Sequence, residues 1–154
     1  MDDCRDALAG VTPPALAGLR HLTERSIGAP EQGHHEAAQA LAVAVTDTAV
    51  KRCFGRPYEQ VRRQVGSDPR SLPFTQLRIR AAFAPISRFL TEWHPKSPHP
   101  APEAISRHVT VHHADPSHYT EANAMVAVLL ACSVLRALRD LQEQIDASRR
   151  KRTT

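Results

Sequence analysis

Residues 120–141 read TEANAMVAVLLACSVLRALRDL. From Ala122 to Leu135 the run is apolar except at Asn123 and Ser133, and beyond it Leu138, Leu141 and Ile145 recur at helical spacing. Nothing in it alternates as a strand would. The pattern predicts one long helix, apolar nearly all round at first and amphipathic later. A helix with no polar face belongs at the centre of a bundle. Thr120 suits its N-cap, and Glu121 places negative charge in the positive first turn. The apolar run is too short to cross a bilayer.

Upstream the same logic predicts further helices. Pro13-Pro14 opens one with Leu16, Leu19 and Leu22, ending near Gly28-Ala29-Pro30. His34 to Phe54 forms another: Leu41, Val45 and Ala49 make a row, Val43 and Val50 lie beside it, and Gly55 and Pro57 stop it. A short arginine-rich helix is expected over Tyr58–Val65. A longer one is expected over Phe74–Trp93, where Ile79, Phe83, Ile86, Leu90 and Trp93 repeat every three or four residues, with a kink at Pro85. At that spacing Trp93 reads as core. The expectation is an all-α, four- to five-helix up-and-down bundle with a long apolar C-terminal helix. It would be a single domain over residues 1–154, with residues 1–13 and 148–154 as mobile ends.

Composition narrows the setting. The 154 residues suffice for a core without disulfides or metals. Cys4, Cys53 and Cys132 are scattered and odd in number, which suits a reducing compartment. The acidic start MDDCRDALAG has no leader character. A cytoplasmic protein with no membrane contact is expected. The net charge is +4, unevenly spread: Lys51 to Lys96 holds ten basic residues against three acidic ones, and RRKRTT closes the chain. Arginine dominates, and its planar fork suits phosphate oxygens. RNA is therefore a candidate partner, with Arg62, Arg63, Arg78 and Arg80 as candidate contacts; a solvated basic face is the plainer alternative.

Just before the long helix, residues 106–124 read SRHVTVHHADPSHYTEANA. Three readings are open. His108 and His112 share a helical face as two zinc ligands would, with Asp115 or His118 as a third donor. However, HVTVH lacks the glutamate of HExxH, nothing requires the third ligand, and no metal is assigned. The histidines would otherwise be surface residues beside helix ends. In the third reading, Arg107 and His112 cut RNA: histidine exchanges protons near neutral pH, and arginine neutralises charge building on phosphorus. On an ideal helix the two would diverge by about 140°. They would converge if the helix ended between them or a second subunit contributed.

Arg107, four residues, then His112, followed by YTEANA and a long apolar helix, resembles the HEPN domain family (higher eukaryotes and prokaryotes nucleotide-binding). The likeness covers residues 106–141 and reaches loosely back to HHEAAQALAVAVTDTAVKRCF, which looks like that family's early helix. It implies a helical bundle that dimerises around two copies of the motif. It also implies a metal-independent endoribonuclease of toxin–antitoxin or phage-defence type, with no cofactor and with an antitoxin or a nucleotidyltransferase as partner. Arg107 would hold the scissile phosphate, His112 would transfer the proton as the ribose 2′-OH attacks, and His108 would orient the pair. Glu36 on the early helix would support Arg107 or His112, as acidic residues do in some members; the plainer reading is a solvated residue in a first helical turn. Asn123 would hydrogen-bond across the bundle towards the motif.

The match has departures. Ser106 stands where asparagine is common, His113 replaces the usual glycine, and Ala114 occupies the place of a tyrosine that some members carry for nucleotide attachment. Other members of the family are non-catalytic modules that bind RNA, nucleotides or a protein partner, and this remains the alternative.

Overall fold

A computed structural model describes residues 1–55 and 74–153, with backbone alone at 74–78 and 153. Among these residues the chain is all-α and contains no strand. The order is α1 (Asp2–Ala9), a 3₁₀ turn (Pro14–Leu16), α2 (Ala17–Glu31), α3 (His35–Phe54), α4 (Phe74–Phe83), α5 (Ile86–Phe89), α6 (Arg107–His112) and α7 (Glu121–Thr153). The expected helix over 58–65, with Arg62 and Arg63, lies outside the described residues.

The bundle is organised by α7, which packs against α1, α2, α3 and α4. Its inner positions Ala124, Ala127, Val128, Ala131, Val134 and Leu135 are buried, a spacing of three and four that keeps one side inward. Opposite them α3 buries Ala38, Ala42, Val45 and Ala49, again three and four apart. The small side chains on both helices let the two backbones approach closely, and Val43 and Val50 broaden the contact. Each fully buried valine or leucine contributes about 1.5–3 kcal/mol. One buried cluster runs from Cys4 to Leu138.

Several expectations are corrected. Residues 1–13 are no loose end: α1 places Cys4 and Leu8 in the core, and Val11 follows them. At the other end α7 continues helically to Thr153. Helix α2 ends at Glu31, close to the expected Gly28-Ala29-Pro30 stop, with Pro30 in its last turn and Gly33 at φ +77° just beyond. Helix α3 ends as its sequence predicts, on Gly55 in the left-handed region.

The predicted 74–93 helix is broken rather than kinked. Helix α4 ends at Phe83, and Pro85 caps the short α5. Proline offers no amide hydrogen and crowds the preceding turn, so continuity fails where packing does not enforce it. Trp93 thus lies beyond the helix, half-buried rather than in the core, with its Nε1 donating to His99 O at 2.9 Å. Helix α7 is also not enclosed on all sides: Val126 and Leu129 are 47% and 51% exposed. No described helix is long and apolar enough to cross a membrane.

Candidate functional site

Helix α6 is six residues long and is held at both ends by polar contacts. Ser106 sits in extended conformation at its N-cap, and its Oγ accepts from Val109 N at 3.4 Å. The Ser106 amide donates to His118 Nε2 at 3.4 Å. Ser106 therefore acts as a cap, a role its hydroxyl fills well. His118 is buried beneath the motif, and enclosure lowers its pKa below the ordinary histidine range.

A polar frame joins this helix to the rest of the bundle. Gln39 of α3, fully buried, donates from Nε2 to Thr110 Oγ1 at 3.2 Å and to His118 O at 3.3 Å. Tyr119 Oη donates to Thr110 O at 2.6 Å. Asn123 Nδ2 donates to the carbonyls of Glu103 and His118, both at 3.0 Å. Asn123 thus fastens the segments flanking α6, close to its expected role, while its own amide is capped by Thr120 Oγ1 at 3.1 Å. Asp115 closes a local turn by accepting from Ser117 N and Oγ, and these bonds lower its carboxyl pKa. Asp115 and His118 are thereby engaged elsewhere, and neither is the third donor to a His108–His112 pair.

Arg107 opens α6 on the side that faces α3. Its Nε lies 3.4 Å from Asp47 Oδ1, and Lys51 Nζ lies 2.7 Å from Asp47 Oδ2. Both members of the Arg107–Asp47 pair are largely enclosed, with side chains 16% and 13% exposed. The carboxylate beside Arg107 is Asp47, and Glu36 takes the solvated first-turn position of its plainer reading. Glu36 is exposed in the first turn of α3, about three turns away along nearly the same helical face. Asp47 carried no local sequence signal, since a lone aspartate in an apolar helix reads equally well as a solvated position.

His112 lies on another side. Helix α6 remains regular from Arg107 to His112 and does not end between them, so within one chain the condition for their convergence is not met. His112 is exposed, with its ring 4.9 Å from that of His108 one turn back. The His108 ring also meets His94 at 4.8 Å and His113 at 5.3 Å, and Trp93 meets His113 edge-on at 5.3 Å. Burial, reinforced by charge on His112, His94 and His113, lowers the His108 pKa. A single chain therefore assembles the imidazoles on one side of α6 and directs Arg107 towards Asp47 on another. His94 was not foreseen, because only the path of the 90–106 segment brings it to α6.

His113 keeps an ordinary φ of −120°, and the left-handed turn residue is Ala114 at φ 42°. Of the candidate basic contacts, Arg80 is half-buried in the last turn of α4, and the Arg78 side chain lies outside the description. Compared with protein-family models, curated proteins and solved structures, the chain finds no match in any of the three.

Proposed function

We propose that the chain is a metal-independent endoribonuclease of toxin–antitoxin or phage-defence type, built on the four- to five-helix up-and-down plan of the HEPN domains that its motif resembles. In this reading Arg107 neutralises the scissile phosphate and His112 moves the proton as the 2′-OH attacks. The observation that carries it is the exposed His112 packed against His108, whose ring also meets His94 and His113, on the same short helix as Arg107. His108, held towards its neutral form, would orient His112 rather than compete with it for charge.

Arg107 and His112 lie on different sides of α6, so a complete site requires a second copy across a two-fold cleft. The exposed Val126 and Leu129, beside a groove lined by Ala81, Pro85, Ala104 and Ile105, are consistent with such a homodimer. An RNA substrate fits the basic 51–96 segment, and an antitoxin or a nucleotidyltransferase fits as partner in the cytoplasm.

The test is incubation of the purified chain with total RNA in EDTA. Cutting that is abolished by His112→Ala and by Arg107→Ala supports the reading, as does toxicity to a bacterial host that disappears with His112→Ala. Intact RNA together with measurable RNA binding would favour the second reading, a non-catalytic module that binds RNA, nucleotide or a protein partner. The Arg107–Asp47 contact favours that alternative, because it gives Arg107 a structural task within its own chain.

A further inference from the structure

We infer that His94, His108 and His113 form a binding site for a divalent transition ion, Zn²⁺ foremost, that ties the segment after α5 to α6. One donor nitrogen from each of the three rings lies within 4.8 Å of the others. In a tetrahedral zinc site imidazole nitrogens stand about 3.3 Å apart, so closure requires shifts of about 1.5 Å or less. His94 is exposed on a loop and has the freedom to supply most of that movement.

Two features point to an ion rather than to chance crowding. The donors come from separate places, one from the loop and two from α6 and its C-cap, yet converge on one volume. His113 Nε2 is enclosed without a hydrogen-bond partner, a cost that native interiors rarely leave unanswered. Trp93, edge-on to His113 and hydrogen-bonded to His99 O, braces the loop that carries His94. An all-nitrogen donor set selects zinc, copper, nickel or cobalt over magnesium or calcium. Three protein ligands leave a fourth position for water.

This inference does not rest on the nuclease reading: Arg107 and His112 are not among the donors, His108 is the one residue the two readings share, and the readout is ion binding rather than RNA cleavage. The test uses the full chain, stripped with chelator and then titrated with Zn²⁺ by calorimetry and with Co²⁺ by visible absorption. The expected result is one ion per chain, with cobalt bands of nitrogen ligation and no thiolate charge-transfer band. His94→Gln and His113→Gln should each weaken binding by more than about tenfold, because loss of even an outer-shell partner costs that much. Both variants should keep the parent far-ultraviolet circular dichroism, and His21→Gln, at an exposed position of α2, should bind as the parent does. Absence of saturable binding up to millimolar ion would overturn the site. So would binding that persists through both loop and cap substitutions.

Discussion

Arg107 and Lys51 pair with one carboxylate: Asp47 Oδ1 lies 3.4 Å from the guanidinium Nε, and Oδ2 accepts from the Lys51 ammonium at 2.7 Å. The middle of α3 thereby sets the position of the first residue of α6. Asp47→Asn keeps the shape and removes the charge, leaving an enclosed arginine with a weaker partner. A stability loss of about 1–3 kcal/mol by urea denaturation is expected, whereas Glu36→Gln, in the exposed first turn, should stay within about 0.5 kcal/mol. Equal effects from the two would show that the carboxylate at Asp47 does not anchor Arg107.

Gln39 reaches from α3 to both Thr110 and the carbonyl of His118. Gln39→Ala leaves a cavity and removes two hydrogen bonds, and should cost about 2–4 kcal/mol. Thr110→Val removes one of the two and should cost less. In the double variant the losses should fall short of additive, as a denaturation cycle would reveal.

Acidification should destabilise the fold through His118. Its folded pKa lies below the unfolded value, so the unfolded chain binds the proton more readily. The associated stability is therefore fully present above the ordinary histidine pKa of about 6.5 and is lost as pH falls through the folded value. The Asp115 charge opposes the shift but does not reverse it. The urea midpoint should drop between pH 7 and pH 5, and His118→Gln should flatten that drop. An unchanged slope in the variant would assign the pH response to other groups.

Ala114 occupies the left-handed region at φ 42°, where a side chain is strained by about 1–2 kcal/mol. Ala114→Gly relieves that strain at some cost in unfolded-chain entropy, so a net gain near 1 kcal/mol is expected. A rise of a few degrees in Tm by calorimetry would agree. A fall would mean that the turn relaxes without glycine.

Leu129 is half exposed on α7, so Leu129→Glu should leave the monomer folded. If this face closes a homodimer, the substitution should shift the mass seen by light scattering from two chains to one. RNA cutting should be lost with it. A parent protein that is monomeric at tens of micromolar would remove the two-copy site.

Much of the local architecture was legible in the residues. Gly55 ends α3, Thr120 caps α7, and the three- and four-residue spacings in both helices mark their buried sides, because each signal acts within about one turn. Misreadings arose where local patterns underdetermine geometry. The repeat through Phe83, Ile86, Leu90 and Trp93 continued on paper past Pro85, but the backbone could not follow it. The exposure of Val126 and Leu129 was invisible in the same way: an apolar residue does not announce which of its neighbours is absent.

The amino-acid order by itself determined the helical class, the caps, and the placing of an arginine and several histidines on one short helix. These depend on spacing along the chain. Only the tertiary structure decided that Arg107 meets Asp47 rather than Glu36, and that His94 joins His108 and His113. Such partnerships depend on how far along α3 the motif helix lands and on the route of the 90–106 segment. Those are properties of packing that no periodicity within a single helix encodes.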